Sequence, residues 1–230
     1  MELVLVRHAQ PAWRNDDGSS TNDPGLTELG EQQARTLATW MQDSGDPVDG
    51  LFVSTANRSK ATAEQIGQVL NLQPVEEPWM LEIGAPDEWE GQPEDEVIAT
   101  LDKLKSRPLD QWWDGAPGGE SFRDFHTRVT KGLEGFLSRF GGERHDDDPA
   151  HLWDVPDDGP RLVLVAHAGT NSVITSHLLG LDPQPWEWER FPCKHASTTI
   201  LRSRPIASAD MWALEYFSGT AHLPPDHVTA

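Results

Sequence analysis

The chain has 230 residues, enough to bury a substantial core, and its 37% hydrophobic and 24% charged residues are typical of a globular protein. Its net charge of −20 argues against nucleic acid and anionic membranes as partners, because binding to polyanions depends on Lys and Arg. No apolar stretch approaches the ~20 residues of a membrane-spanning helix. The single cysteine, Cys193, excludes an intrachain disulfide, and we therefore expect a cytoplasmic protein.

The N-terminal part of the sequence alternates short apolar runs with an amphipathic one. Residues 3–6 predict a buried strand, and residues 11–25, rich in Asp, Asn, Ser, Gly and Pro, predict a loop. Thr27 is a typical helix N-cap, and the apolar face that follows it ends at residues 44–45, so we predict a helix between them. Residues 50–54 then predict a second strand.

Helices dominate the middle of the sequence. One is predicted over residues 58–70, directly after the second strand, and another over residues 97–104. Residues 118–121, Gly-Gly-Glu-Ser, lead into a long helix over residues 122–140, whose apolar side chains repeat at helical spacing. This helix is therefore expected to cover part of the core.

Residues 141–160 are strongly acidic, with runs at Asp146-Asp147-Asp148 and Asp157-Asp158. They lack the regular ligand spacing of a calcium loop, which favours a solvated loop over a metal site. The remaining predicted elements are a strand at 161–166, a helix at 171–179, strands at 198–201 and 212–217, and a loosely ordered tail. We predict one domain over residues 1–219, with the acidic loop inside it, and a C-terminal tail over 220–230.

Strands that alternate with helices predict a single-domain α/β fold with a mostly parallel central sheet flanked by helices. In such sheets ligands bind outside the carboxyl ends of the strands. This rule selects Arg7 and His8 after the first strand, Arg58 shortly after the second, and His167 after the strand at 161–166. One crevice is therefore predicted to collect two arginines and two histidines.

Two arginines and two histidines in one crevice indicate a site for a phosphate dianion. The guanidinium group is a planar, permanently charged fork that matches phosphate oxygens. Histidine is the side chain in this set that can act as a neutral nucleophile near pH 7. A phosphorylated ligand also requires such a local cluster of cations, because the overall charge of the protein is negative.

Several short motifs carry a resemblance to a known family. In chain order they are Leu5-Val6-Arg7-His8-Ala9, Leu26-Thr27-Glu28-Leu29-Gly30, Ser54-Thr55-Ala56-Asn57-Arg58, Leu81-Glu82-Ile83, Gly118-Gly119-Glu120-Ser121, Val165-Ala166-His167-Ala168-Gly169 and Ala196-Ser197-Thr198-Thr199. Together they resemble the histidine phosphatase superfamily, the phosphoglycerate mutase-like proteins, over residues 3–201. The resemblance implies a catalytic domain with the phosphoglycerate mutase-like α/β fold.

The resemblance also implies roles for individual residues. His8 would attack phosphorus and become a phosphohistidine, while Arg7, Arg58 and His167 would hold the phosphoryl oxygens. Glu82 would protonate the leaving oxygen and later accept a proton from water. No metal or other cofactor is implied, because the guanidinium groups neutralise the phosphate. We further expect the second ring nitrogen of His8 to donate to a backbone carbonyl, which would fix its tautomer.

Some positions depart from the family pattern. Ala9 and Ala168 stand where glycine is usual, and Arg14 stands where the mutases have asparagine. Residues 83–89 replace an Arg-His-Tyr-Gly run of the mutases. The motifs that hold phosphoglycerate are therefore missing, which favours a phosphatase.

The leaving-group side of the site leaves more alternatives open. Gln10 and Arg14, together with Trp13, are the predicted further contacts to substrate, and tryptophans in the irregular segments either pack in the core or line a pocket for an apolar phosphoester. Glu88 and Glu90 are rivals of Glu82 for the acid role.

The expected activity is that of a metal-independent phosphomonoester hydrolase of the histidine acid phosphatase type, acting on a small phosphorylated substrate. Two alternatives remain: phosphoryl transfer of the phosphoglycerate mutase type, and binding of a phosphorylated ligand without turnover. Neither nucleic acid nor a membrane is an expected partner, and an oligomer is compatible with the exposed tryptophan-bearing loops. His195, two residues after Cys193, is interpreted as structural rather than as a zinc ligand.

Overall fold

Eight strands form one sheet in the computed structural model, which describes residues 1–15, 17–145 and 151–230. The strands are β1 (Glu2–Arg7), β2 (Gly50–Val53), β3 (Val75–Glu76), β4 (Glu143–Arg144), β5 (Trp153–Asp154), β6 (Arg161–Ala166), β7 (Thr198–Ile206) and β8 (Ala209–Gly219). Their order across the sheet is β3-β2-β6-β1-β7-β8-β5-β4.

The sheet has a parallel half and an antiparallel half. Strands β3, β2, β6 and β1 are parallel to one another. The hairpin of β7 and β8 joins the free edge of β1 in antiparallel orientation, and β5 and β4 extend it. The predicted single-domain α/β fold with a central sheet flanked by helices is confirmed, and its parallel pairing lies in the half that carries the candidate site.

Helices cover both faces of the sheet. Within the described ranges they are α1 (Glu28–Ser44), α2 (Asn57–Leu70), α3 (Glu94–Lys105), α4 (Phe122–Ser138), α5 (Ala168–Leu178) and α6 (Glu187–Arg190). Helices α1 and α2 share a core with Val4 and Val163, whereas α4 and α5 share a core with Leu3 and Leu162. Because successive strand side chains point to opposite faces, the continuous apolar sequences of β1 and β6 are what a sheet covered on both faces requires.

The ends of α1 follow the predicted signals. The Thr27 hydroxyl accepts a hydrogen bond from the Gly30 N–H at 2.9 Å, and Gly45 ends the helix with a left-handed φ of 68°. A Cβ at Gly30 would lie 2.2 Å from the Gln10 carbonyl oxygen, so glycine is needed there for α1 to approach the loop that follows β1. The predicted helix between Thr27 and Gly45 is confirmed.

Helix α5 begins earlier than predicted. It starts at Ala168, with His167 as its N-cap residue, whereas the apolar pattern predicted a start at residue 171. Its first residues are small and polar and show no helical periodicity, yet nearly the whole helix is buried. The correction matters for function, because it places the N-terminal N–H groups of a helix directly beside His167.

The predicted acidic loop at 141–160 contains strands. Strands β4 and β5 pair in antiparallel orientation, and the fully buried ring of Trp153 packs edge-to-face on Trp212. The aromatic ring explains the strand, since burial of Trp153 anchors this segment to the sheet. Asp157 and Asp158 are exposed, as expected of a solvated turn, and Asp146-Asp147-Asp148 lie outside the described residues.

The C-terminal segment packs against the domain, so the expectation of a loosely ordered tail is wrong. Leu223 is buried in the core under α1. The Gln33 Nε2 group donates to the His227 carbonyl at 2.7 Å and to the Thr229 hydroxyl at 2.9 Å. These contacts hold the end of the chain beside the edge of the sheet that carries Arg7.

Among the described residues, no helix combines the length and the apolar character that crossing a membrane would require.

Candidate active site

Arg7, His8 and His167 lie together because β1 and β6 are adjacent and parallel. Arg7 is in register with Ala166, so the next residue of each strand leaves the sheet at the same edge. The His8 N–H donates to the Ala166 carbonyl at 2.9 Å, and the two histidine rings are 5.1 Å apart between centroids. The structure therefore brings together the residues that the strand-end rule selected.

The contacts of His8 define its tautomer. Its Nδ1 lies 2.8 Å from the Ala9 carbonyl oxygen, which can only accept, so Nδ1 carries the proton. The Arg58 Nε–H donates to Nε2 of His8 at 3.3 Å, which is compatible only with an unprotonated Nε2. The ring is thus neutral, and its lone pair faces the arginine side of the crevice.

Arg58 reaches the crevice from the first turn of α2 and is 5% exposed. Besides its contact with His8, its guanidinium lies 3.6 Å from the Asp23 carboxylate and 4.7 Å from the centroid of the Trp13 ring. The positive end of the α2 helix dipole repels the Arg58 guanidinium. An anion bound beside the guanidinium offsets this repulsion. Asp23 and Trp13 hold the guanidinium at the mouth of the crevice.

Two buried donors of the site have no hydrogen-bond partner among the described residues. They are Nε of Arg7 and Nδ1 of His167. The other ring nitrogen of His167 lies 2.8 Å from the Ser54 hydroxyl, which can donate to it and leave the proton on Nδ1. Buried donors without partners cost free energy unless a ligand satisfies them, and phosphate oxygens are suitable acceptors.

The Glu82 carboxylate contacts the N-terminus of α5, on the opposite side of the crevice. One carboxylate oxygen accepts from the Gly169 N–H at 2.9 Å and the other from the Ile83 N–H at 3.1 Å. A Cβ at Gly169 would lie 2.4 Å from the Glu82 carboxylate, so glycine is needed for this approach. Burial raises the pKa of Glu82, which the two N–H groups and the arginines only partly oppose.

The rival carboxylates are placed differently. Glu88 and Glu90 are exposed, and Glu90 accepts a hydrogen bond from the Asn22 N–H at 2.6 Å. A raised pKa in a crevice lined with cations favours Glu82 as the proton donor.

The histidine pair is held in its neutral form. Burial lowers the pKa of His8 well below 6.5, and His167, Arg58 and Arg7 lower it further. Burial followed by the two nearby arginines also lowers the pKa of His167. A neutral His8 is available as a nucleophile even in mildly acidic solution.

His195, interpreted from the sequence as a structural residue, lies beside the site. Its Nε2 lies 2.9 Å from a terminal nitrogen of Arg7, and its ring centroid is 5.8 Å from that of His8. Val6 pairs with Thr198, so the residues before β7 pass beside Arg7. The motif at residues 196–199 pointed to this turn, but the contact of His195 with Arg7 depends on the direction of β7 relative to β1, which no local motif encodes.

Cys193 also borders the site, through its backbone. Its carbonyl oxygen accepts a hydrogen bond from Arg7 at 2.5 Å. Burial raises the pKa of its thiol to about 11, so the thiol stays protonated at neutral pH. A protonated thiol is a poor nucleophile, which leaves His8 as the reactive group of the crevice.

The two further substrate contacts predicted from the sequence are directed away from the centre. The Gln10 side-chain oxygen accepts from the Thr27 hydroxyl at 2.8 Å. Arg14 is exposed and lies 3.9 Å from Glu94. Both stay predictions, and in this structure neither side chain adds to the cluster of Arg7, Arg58 and the histidines.

The two alanines in positions usually taken by glycine need no special backbone conformation. Ala9 and Ala168 both have negative φ, and Ala168 is the first residue of α5. The Ala9 N–H donates to the Thr62 hydroxyl at 3.0 Å, so the residue is also held in place. Neither substitution disturbs the geometry of the histidines.

A cavity of about 620 Å³ opens from the crevice between Arg58 and Glu82. Its walls include Trp13 and the loop of residues 20–23 on one side, and Trp89 with one face of α3 on the other. This volume is typical of small-molecule sites.

In the part of the chain that the structure describes, no group of three or more His, Cys, Asp or Glu side chains is arranged to hold a metal ion.

Comparison with known proteins agrees with the resemblance. The model of the histidine phosphatase superfamily (branch 1) matches residues 3–209. The chain belongs to this superfamily. As a histidine phosphatase superfamily protein, it is of the phosphatase or mutase type.

Curated relatives of this superfamily protein include both types. Phosphoserine phosphatase 1 of Hydrogenobacter thermophilus is 30% identical over 209 residues, covering 87% of this chain and 86% of the relative. The probable phosphoglycerate mutase GpmB of Erwinia tasmaniensis is 27% identical over 228 residues, covering 97% and 95%.

Solved structures share the fold. A mycobacterial glucosyl-3-phosphoglycerate phosphatase has a TM-score of 0.68 at 23% identity, covering 96% of this chain and 99% of its own. A putative alpha-ribazole-5'-P phosphatase from Escherichia coli has a TM-score of 0.70 at 22% identity, covering 95% and 97%.

Proposed function

We propose that this protein is a phosphomonoester hydrolase that works through a phosphohistidine on His8 and requires no metal. The observation that carries the proposal is the state of His8: a neutral ring with the proton on Nδ1, and an Nε2 lone pair beside Arg58. That is the form of imidazole that attacks phosphorus.

In the first half-reaction, Nε2 of His8 forms a bond to phosphorus while the bond to the ester oxygen breaks. Glu82 transfers its proton to that oxygen, and the alcohol leaves. Arg7 Nε, Arg58 and His167 Nδ1 would donate to the phosphoryl oxygens, so the buried donors gain acceptors as charge spreads over these oxygens.

In the second half-reaction, the Glu82 carboxylate accepts a proton from water as the water oxygen attacks phosphorus. The N–P bond breaks, inorganic phosphate leaves, and both His8 and Glu82 return to their starting states. The raised pKa of Glu82 suits both roles, because it keeps a protonated fraction before the first step and makes the carboxylate a better base in the second.

Assays of phosphate release, phosphoglycerate interconversion and vanadate binding separate the proposal from its alternatives. The purified protein is incubated in EDTA with 4-nitrophenyl phosphate and, separately, with a mixture of 3-phosphoglycerate and 2,3-bisphosphoglycerate. We expect inorganic phosphate from the aryl ester at an undiminished rate in EDTA. Interconversion of phosphoglycerates without phosphate release would indicate a mutase, and tight vanadate binding without any turnover would indicate a binding protein. Loss of turnover in EDTA would overturn the metal-independent mechanism.

A further inference from the structure

We propose that the alcohol part of the substrate is an uncharged, apolar group, aromatic or similarly bulky, and that it carries no carboxylate. This inference rests on the proposed function, since it concerns the cavity that would receive the leaving group beside His8. It narrows the substrate class to phosphomonoesters whose only anion is the phosphate.

The first support is the apolar character of the cavity. Its lining includes Trp13, Leu81 and Ile98, which are 41%, 38% and 52% exposed. Contact between large apolar side chains and water is unfavourable. An apolar ligand that covers these side chains removes that contact, so its binding is favoured. Trp13 also lies against Arg58, so it continues the phosphate site into the apolar wall.

The second support is the sign of the charges. Arg58 is the only basic side chain among the described residues that line the cavity, whereas Asp23, Glu82, Asp87 and Glu94 are acidic. Arg58 would be occupied by the phosphate. Among its described lining residues the cavity therefore offers no second cation to a carboxylate on the substrate, and the carboxylates of Asp23, Asp87 and Glu94 would repel it. Arg14, beside the rim, is already near Glu94.

The test compares two esters of primary alcohols, benzyl phosphate and 2-phosphoglycolate. We expect kcat/KM to be about thirtyfold or more higher for benzyl phosphate, since an apolar contact and an avoided like-charge contact both act in the same direction. Equal values, or a preference for phosphoglycolate, would overturn the substrate class while leaving the hydrolase intact. Absence of turnover with these esters and with 4-nitrophenyl phosphate would instead refute the proposed function.

A matched pair of variants tests whether the alcohol group of the substrate occupies this cavity. Ile98→Asn in the cavity wall should lower kcat/KM for benzyl phosphate by about tenfold and lower that for phosphoglycolate much less. Leu109→Asn changes a 73% exposed apolar side chain outside the cavity and should alter neither value. If both variants behave like the unmodified protein, the alcohol does not occupy this cavity.

Independent contacts lead to a second inference: we infer that His195 and the C-terminal tail position Arg7. The Arg7 guanidinium is held on one terminal nitrogen by the Cys193 carbonyl and on the other by Nε2 of His195 at 2.9 Å. Its Nε is buried and has no hydrogen-bond partner within the described part of the chain, so it is left for phosphate. His195 is thus a positioning residue, acting through Arg7.

The tail also contacts His195. Because the Arg7 guanidinium can only donate, Nε2 of His195 accepts and Nδ1 carries the proton, which it can donate to Thr229. This Nδ1 lies 2.9 Å from the Thr229 hydroxyl, and the His195 backbone N–H donates to the Thr229 carbonyl at 3.1 Å. Burial, assisted by Arg7 and Lys194, lowers the pKa of His195 to about 3, so the ring stays neutral and can accept from Arg7. Gln33 in turn donates to the Thr229 hydroxyl at 2.9 Å, which connects the tail to α1.

The inhibition constant of inorganic phosphate and the melting temperature test this role together. We expect His195→Ala to weaken phosphate inhibition by about tenfold, because the arginine loses its fixed orientation. His195→Gln, which keeps an acceptor, should restore most of the affinity. Thr229→Val should weaken inhibition by about threefold, as one hydrogen bond is lost. Thr220→Val in the same tail is the matched control.

A purely structural His195 would give a different pattern. Melting temperatures would then fall in His195→Ala, while the phosphate inhibition constant of the folded fraction would stay at its original value. An unchanged constant in the Thr229→Val protein, with His195→Ala unfolded, would show only a structural role and overturn the inference.

Discussion

His8→Ala is expected to lower kcat for phosphomonoester hydrolysis by roughly four orders of magnitude or more, the scale on which enzymes lose activity when a covalent nucleophile is removed. The physical reason is that the His8 Nε2 lone pair has no substitute in the crevice. His167 directs Nε2 to Ser54, and the Cys193 thiol stays protonated with a pKa of about 11. Activity is measured by phosphate release from 4-nitrophenyl phosphate.

A labelled intermediate distinguishes covalent catalysis from mere loss of binding. Brief incubation with a radiolabelled phosphoester, followed by denaturation in alkali, should leave label on the original protein, since phosphohistidine survives alkali. No label should remain on the His8→Ala protein. His126→Ala is the matched control, because His126 is a half-buried histidine of α4 outside the crevice, and it should retain label and activity. Full activity in His8→Ala would contradict the central assignment.

Much of the crevice could be predicted because it depends on local patterns. The apolar runs of β1 and β6 identify buried strands, and the carboxyl ends of adjacent parallel strands meet at one edge. Arg7, His8 and His167 follow those ends directly, so their proximity is a consequence of topology rather than of distant contacts. Arg58 follows the same rule through β2 and the first turn of α2.

Other parts of the site depend on pairings that the sequence does not encode locally. His195 reaches Arg7 because β7 lies antiparallel beside β1. The tail packs against the domain because Leu223 is buried and because Gln33 and His195 bind its last residues. Similarly, β5 exists because Trp153 is buried against the sheet. Such tertiary contacts override a polar or acidic composition that is typical of loops.

The side chains around the leaving group were also only partly predictable from the sequence. The sequence identified Arg14 and Gln10 as substrate contacts from their position after the nucleophile, whereas the structure directs them to Glu94 and Thr27. Trp13, from the same segment, does line the cavity. Side-chain direction in an irregular loop follows no period, so proximity along the chain could not separate these three residues.

Glu82→Gln is expected to lower kcat for benzyl phosphate by about a hundredfold or more, the usual contribution of general acid catalysis. The amide keeps one oxygen, which can accept from only one of the Gly169 and Ile83 N–H groups, and it has no acidic proton to give to the leaving oxygen. The loss in kcat/KM, which reports only the first half-reaction, should be much smaller for 4-nitrophenyl phosphate, whose leaving group departs without protonation. Glu88→Gln, at an exposed rival position, is the matched control and should behave like the unmodified protein.

The pH dependence of kcat/KM for benzyl phosphate should also report proton donation by Glu82. Glu82 donates only when protonated, and burial raises its pKa, so kcat/KM for benzyl phosphate should fall as pH rises through a value above 4.5. His8 stays neutral across this range because its pKa is lowered well below 6.5. Glu82→Gln should remove the falling limb that belongs to the protein, while the titration of the substrate phosphate is common to both proteins. An identical limb in both would mean that another group supplies the proton, and the leaving alcohol would then have to be protonated from a side of the crevice that Glu82 does not occupy.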